Sequence, residues 1–446
     1  MHTTPDDIQA AIAEQIRTYF QQARPAASDC HWPLASNAIG ADETIAVLDV
    51  LLSGRITMGQ CVAEFEQAWS RFLGVEHSVM VNSGSSANLL AMSALASPIW
   101  KTGLRPGDEV IVPAVTWPTT VFPIVQVGCV PVLVDVDADT LNMTPHAVRH
   151  AITPKTRAIM PVHLLGNPCD MTEIMRIADQ HNLHVIEDCC EAHGARVGDQ
   201  PVGTFGEMST FSFYFSHHMT TIEGGMISVR EDEKWSNFLL SARSHGWLRQ
   251  RSDRDNLARL FGQRDDHWLF VTPGYNLRPM ELNAAIGLVQ LRQMPDFIRQ
   301  RAELRRTLLE GLAGCEDALR FQRELPGHFH SAFGFPMVIR EEAPFTRDAL
   351  RDHLEAGGIE TRPVVGGNLA RQPAFEHIPW RTYSDLRVAD DIDCNGLMIG
   401  INPGVTTEQT EYVIERIRAF VLRTGKPKSR GQNGNPTCRE PARTHE

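Results

Sequence analysis

The sequence is poor in lysine: Lys101, Lys155, Lys234, Lys426 and Lys428 are the only ones in 446 residues. Its nine cysteines form no C-x-x-C or C-x-C pair, so a zinc or iron-sulfur site would have to gather ligands from distant segments, and no metal is expected. No apolar run approaches the roughly 20 residues of a membrane span, and MHTTPDDIQAAIAEQI lacks the basic start and apolar middle of a secretory leader. Basic excess is missing too, since 42 Lys+Arg against 54 Asp+Glu leave a net charge of -12. Neither nucleic acid nor an anionic membrane is therefore expected as the main partner, and an anionic ligand must meet a local site. The expected setting is the cytoplasm, with reduced thiols as the default.

What is present is an ordinary globular composition, 42% hydrophobic, long enough for a large domain and a smaller one. Thr4 as N-cap and Pro5 in the first helical position open an amphipathic helix whose Ile8, Ile12, Ile16 and Phe20 share one stripe. This N-terminal extension (1–31) is expected to dock on the main body or on a second subunit. From 32 to 287, the runs SVMVNSG, DEVIVPAV, VPVLVDVD, TRAIMPVHLLG, LHVIEDCCE, STFSFYF and GGMISV alternate with helix-like segments. That pattern predicts an α/β fold, a mostly parallel seven-stranded sheet covered on both faces, with ligands at the carboxyl ends of the strands. Residues 288–424 read as a smaller α+β C-terminal domain, and 425–446, rich in Gly, Pro and charge, as a disordered tail.

Residues just beyond the strands are the candidates. Asn82-Ser83-Gly84-Ser85-Ser86-Ala87-Asn88 follows one strand and opens a helix, so Gly84, Ser85 and Ser86 could cradle a phosphate or simply form a small-residue turn. Asp188 ends LHVIED as a buried-strand carboxylate that needs a donor or cation, whether a protonated pyridine, an N-cap or an internal salt bridge. Trp117 could cover a flat ring or be core. His217 and His218 precede Glu223-Gly224-Gly225; neighbouring side chains on an extended chain point to opposite faces, so one of the two is expected to serve a site.

In this order the segments resemble the DegT/DnrJ/EryC1/StrS group of sugar aminotransferases, over about Trp32 to Ile417. The resemblance implies the pyridoxal 5'-phosphate (PLP)-dependent transferase fold type I, aspartate aminotransferase-like. It also implies PLP as cofactor, held by the Ser-Gly-Ser turn, by Trp117 stacking on the ring, by Asp188 at the pyridine nitrogen and by Ser212 at the phosphate. Glu191 would bond the 3-oxygen. Gly274-Tyr275-Asn276-Leu277-Arg278 matches a segment whose asparagine reaches the phosphate of a neighbouring subunit, which implies a homodimer with shared sites.

The departure is at the lysine that relatives place six residues before the Glu of the E-G-G turn to bind the cofactor covalently. Here that residue is His217, and no lysine falls in a motif that could substitute. An imidazole forms no stable imine with an aldehyde but does shuttle protons. This His-for-Lys exchange resembles the nucleotide-sugar 3-dehydratases within that group. The implied enzyme is a lyase of dideoxysugar and O-antigen biosynthesis. It removes the C3 hydroxyl of a 4-keto-6-deoxyhexose, GDP-4-keto-6-deoxy-D-mannose first, cycling PLP through pyridoxamine phosphate with L-glutamate as amino donor and releasing ammonia. CDP-type 3-dehydratases add a [2Fe-2S] cluster and a reductase. Cys190 matches one of their cysteines, but Ser244 to Pro273 contains none, so no such cluster or reductase is expected. Arg243, His245 and Arg278 are candidate holders of glutamate carboxylates or of the substrate diphosphate, or else members of structural ion pairs. A sugar aminotransferase with another lysine, or a silent cofactor-binding relative, remain the other readings.

Overall fold

The computed structural model describes residues 4–22, 31–35, 39–262 and 268–423. The segment from Gly425 onward, expected to be disordered, lies outside them. The β-rich runs form β1 His77–Val81, β2 Glu109–Pro113, β3 Val130–Val134, β4 Thr156–Ile159 and β5 His184–Asp188. After the two-residue strands β6 Arg196–Val197 and β7 Gln200–Pro201 come β8 Met208–Ser212 and β9 Gly225–Val229. Their order is β1-β9-β8-β5-β4-β2-β3, parallel except for β9, which is antiparallel to both β1 and β8. Period-2 alternation sorts the core. Val110 and Val112 face one apolar layer with Leu90, Val121 and Leu133, whereas Ile111 and Val132 face the other with Ile174 and Val185.

Downstream lie β10 Leu319–Phe321, β11 His328–Phe329, β12 Gly334–Ile339, β13 Thr361–Arg362, β14 Arg381–Thr382 and β15 Gly396–Gly400. β14 pairs in parallel with β3, giving eight strands where the pattern predicts seven. The cause is a clamp: Arg381 donates from Nε and Nη2 to the two carboxylate oxygens of Glu109, both at 2.7 Å. This bidentate geometry holds a two-residue strand that has no periodicity of its own. The order β10-β12-β15-β13 makes a second sheet over its own core of Leu308, Phe335, Leu350, Ile399 and Val413. The helix Glu281–Gly311, 31 residues long and so about 45 Å, joins the two cores. Its Ala284 and Met294 pack in the first body and its Leu304 and Leu308 in the second.

The first helices are α1 Pro5–Gln22, α2 Ala41–Ser53, α3 Gln60–Leu73, α4 Gly84–Leu95 and α5 Pro118–Gln126. Thr4 caps α1, its Oγ1 accepting the Asp7 N-H at 3.2 Å. α1 touches α2 through Gln9, which donates to Asp49 at 2.6 Å, but buries none of its residues. Six cysteines, at 61, 129, 169, 189, 190 and 315, are free thiols. Among the described residues no helix is long and apolar enough to cross a membrane.

Candidate active site

The site is built at the carboxyl edge, where α4 and α5 begin just after β1 and β2. Ser83 caps α4, accepting the Ser86 N-H at 3.1 Å, and Ala87 N-H bonds the Ser83 carbonyl. The N-H groups of Gly84 and Ser85 have no partner among the described residues, so the helix start offers donors to an anion. Glycine is required at 84, because a Cβ there would lie 2.5 Å from the Cβ of Ser212 at the end of β8. Gly225 is pressed in the same way, its would-be Cβ 2.3 Å from the Ser83 carbonyl oxygen. The Ser-Gly-Ser turn, Ser212 and the Gly-Gly turn therefore converge on one spot.

Beside it, Asp188 is buried, 4% exposed. Its Oδ2 accepts from Asn88 Nδ2 at 2.9 Å and Thr120 Oγ1 at 2.8 Å, and its Oδ1 from the Cys190 N-H at 3.1 Å. All three donors are neutral, and among the described residues no cationic side chain pairs with Asp188. A buried carboxylate solvated only by neutral dipoles is an electrostatic invitation to a cation. Its neighbour Glu187 differs, since strand alternation turns it to the other face. There its oxygens accept from the Gly203, Phe205 and Gly206 N-H groups at 2.7 to 2.9 Å and contact His163 Nε2 at 3.2 Å. His163, Glu187 and Cys189 are close enough to suggest a metal site, yet that carboxylate is already saturated. Ser85 Oγ donates to Thr119 at 2.8 Å, tying the start of α4 to the start of α5. Trp117 caps that start with its indole 58% exposed. It has no ring partner among the described residues and so presents an open aromatic face.

His217 sits on the loop between β8 and β9, closed at its base by Phe213 N-H to Gly224 O and Thr221 N-H to Phe213 O, both 2.9 Å. Phe333 meets its ring edge-on at 5.0 Å. Its Nδ1 is buried without a partner among the described residues, and the residue lines a cavity of about 230 Å³ with Ser216, His218, Gln293, Arg301 and Asn402. Burial, then the charge of Arg301, push the His217 pKa down to about 3, so the imidazole is neutral near pH 7. Arg301 was not foreseen. It is 3% exposed and donates to the carbonyls of Ile401, Phe333, Ala332 and His217 at 2.5 to 3.4 Å, with no carboxylate paired among the described residues. A signal existed: Met294, Arg301 and Leu308 recur at seven-residue spacing on the buried stripe of the long helix. Asn88 carried a similar hint, one helical turn after Gly84.

The lysines lie elsewhere. Lys101 and Lys234 line a cavity with His184, at the amino end of β5, and Lys155 directly precedes β4. All three described lysines are thus at the opposite edge of the sheet, a strand length of roughly 13 Å from Asp188. Among the other candidates, Arg243 is 1% exposed and donates to Glu66 at 2.5 Å, to the Met80 carbonyl at 2.6 Å and to Gln250 at 3.1 Å, so its fork faces the interior. Asn276 and Arg278 bond each other at 3.0 Å on the wall of a separate cleft of about 540 Å³ with Met58, Trp247 and Met280. His245, at φ 64, stacks edge-on to Trp247 nearby.

Glu191 is half-buried, its Oε2 accepting the Leu165 N-H at 2.8 Å. Burial, reinforced by Asp188 and opposed by that N-H, raises its pKa to about 7. Between pH 4.5 and 7 the folded chain therefore holds a proton that the unfolded chain has lost, so this group's contribution to stability falls as pH rises through that window. Glu191→Gln should remove a loss on the order of 2 kcal/mol between pH 5 and pH 8. Thermal melts of wild type and variant at both pH values check this, and parallel pH dependences would refute it.

A family model described as the DegT/DnrJ/EryC1/StrS aminotransferase family matches residues 37–418. The chain belongs to this family. Within the DegT/DnrJ/EryC1/StrS family, it is 39% identical over 394 residues, 87% of its length and 98% of the relative's, to the GDP-4-keto-6-deoxy-D-mannose 3-dehydratase of Yersinia pseudotuberculosis. It is 38% identical over 433 residues, 94% of its length and 93% of the relative's, to the dTDP-4-dehydro-2,6-dideoxy-D-glucose 3-dehydratase of Saccharopolyspora spinosa. A crystal structure of GDP-4-keto-6-deoxymannose-3-dehydratase with a trapped PLP-glutamate geminal diamine superposes with a TM-score of 0.81 at 36% identity, over 86% of this chain and all of that one. The fold is the α/β fold of PLP-dependent transferases in this family, as the motif order predicts.

Proposed function

We propose that this chain is a PLP-dependent 3-dehydratase that removes the C3 hydroxyl from a nucleotide-linked 4-keto-6-deoxyhexose, with L-glutamate as amino donor. The observation that carries the reading is His217 at the loop position of the family's lysine, with every described lysine at the far edge of the sheet. The residues present fit the cofactor: a cradle at Gly84 that a Cβ would fill, a buried Asp188 solvated only by neutral donors, and an uncovered Trp117. When bound, PLP supplies an electron sink and carries the amino group of glutamate.

The rest is done by the chain. In this reading the Gly84 and Ser85 N-H groups and the Ser212 hydroxyl would hold the phosphate, Asp188 the protonated ring nitrogen, and Glu191, part-protonated near pH 7, the 3-oxygen. Nε2 of His217, neutral in the ligand-free chain, takes a proton on the cleft side and delivers one to the departing C3 hydroxyl. An anion brought beside it opposes the depression caused by burial and Arg301 and makes it a stronger base. Lacking an amine, it cannot displace an amino sugar product, so the nitrogen leaves as ammonia. The balance closes: sugar CHOH becomes CH2, the amine-bearing carbon of glutamate becomes the ketone of 2-oxoglutarate, and no outside electrons are needed. The cysteine-free stretch from Ser244 to Pro273 agrees, and neither a cluster nor a reductase partner is invoked.

The reading puts GDP-4-keto-6-deoxy-D-mannose first among substrates. The similarity to a dTDP-sugar 3-dehydratase over 94% of the chain makes a dTDP-linked ketosugar the second. The chain is proposed to work in the cytoplasm as a homodimer with shared sites. Exposed Asn276 beside Tyr275 and Met280, 39% and 51% exposed, supports the dimer, with Arg278 and His245 meeting the partner's ligand and Arg243 bracing that wall from within. Incubation with PLP, glutamate and the GDP-, CDP-, dTDP- and UDP-linked 4-keto sugars should yield ammonia and a deoxy ketosugar from one of them. An amino sugar, or no turnover of any of the four, would sink the proposal.

A further inference from the structure

His193 lies five residues past Asp188 and is 0% exposed. Its imidazole is nested among the rings of Trp69, Phe211 and Phe213, with centroids at 5.7, 5.5 and 5.8 Å. It also faces His218 at 5.2 Å and His217 at 6.4 Å, the latter edge-on at 85°. An apolar residue would suit that nest, yet neither Nδ1 nor Nε2 of His193 reaches a hydrogen-bond partner among the described residues, and neither does Nδ1 of His217. Leaving buried imidazole nitrogens unpaired is costly, so neighbouring rings that each carry one call for a shared partner. A centroid separation of 6.4 Å keeps nitrogens of the two rings roughly 4 Å or more apart, too far for a direct bond and within reach of one bridging water.

Burial, then the neighbouring His217 and Arg301, hold His193 well below the usual histidine range, so it stays neutral and keeps one lone pair. The Ser212 backbone acts the other way. A neutral imidazole carries one N-H and one lone pair, so one ring nitrogen of His193 remains an acceptor. We propose that His193 is the positioning residue of His217, accepting the His217 Nδ1-H through a single buried water and so keeping the Nε2 lone pair aimed at the cleft. This rests on the proposed role of His217 as proton shuttle. The arrangement does for His217 what a buried acceptor does for any catalytic histidine, fixing tautomer and ring orientation, but with a neutral partner that adds no charge to a site already holding Asp188.

The test uses the PLP-loaded protein labelled with 15N-histidine. In wild type, His217 should give the pattern of a single Nδ1-H tautomer, and His193→Phe, which fills the aromatic nest, should turn it into a mixture. With the sugar that wild type turns over, His193→Phe should lower kcat by tenfold or more, with KM within about twofold and an unchanged melting temperature, and His193→Gln should restore most of the loss. Unaltered His217 resonances in His193→Phe would overturn the proposal. So would a kcat loss that tracks lost melting temperature and is not rescued by Gln. If wild type turns over none of the sugars, the reading of the function fails separately, and the resonances still decide the role of His193.

Discussion

His217→Lys is expected to bind PLP covalently, with borohydride fixing a pyridoxyl group on residue 217, and to lose 3-dehydration by about 10²- to 10⁴-fold, the range that a positioned general acid-base group supplies. The surroundings favour this outcome. A lysine here would be placed beside Arg301, which is buried and has no paired carboxylate among the described residues. Burial and a neighbouring cation both lower an amine's pKa, so the new side chain would be neutral and nucleophilic near pH 7. Having an amine that can displace product, the variant should divert part of its turnover to an amino sugar. Peptide mapping after reduction, together with product analysis, checks both halves. A pyridoxyl group on any lysine of the wild-type chain, or an unchanged absorption spectrum when PLP is added to the variant, would refute the assignment.

Asp188→Asn should cost about 10²- to 10³-fold in turnover, the usual loss when one preorganised electrostatic contact is removed, and should weaken PLP binding in a spectral titration. The direction follows from the donor geometry. Two donors, from Asn88 and Thr120, converge on Oδ2, and the Cys190 N-H points at Oδ1. An asparagine can keep its oxygen toward the first two only by turning its NH2 against the Cys190 N-H, a donor-donor clash worth about 1 to 3 kcal/mol of stability. The ligand-free variant should therefore melt at a lower temperature as well. Turnover and PLP affinity both at the wild-type level would mean that Asp188 meets no cofactor cation.

Much of this was legible in the residues. The seven apolar runs, their punctuation by helix signals and the order of Ser-Gly-Ser, Glu-Asp, His217 and Gly-Tyr-Asn identify the sheet, its carboxyl edge and the missing lysine. Those features are local: strand alternation, a capped helix start and a motif each act within a few residues. The eighth strand was not legible, because β14 exists only through the clamp of Arg381 on Glu109, 272 positions away. The commitment of Arg243 to Glu66 was hidden for the same reason, with 177 positions between the two.

Sequence alone thus determined the chemistry on offer: a histidine where an amine is expected, a small-residue turn opening a helix, an acid at a strand end and no lysine within any motif. Tertiary structure alone decided which groups meet. It set Asp188 among neutral donors and Glu187 among backbone N-H groups on the other face. It carried the three described lysines to the far edge, and it placed Arg301 and His193 beside His217. Burial and long-range pairing set the charge and orientation of a side chain, and neither is written in its neighbours along the chain.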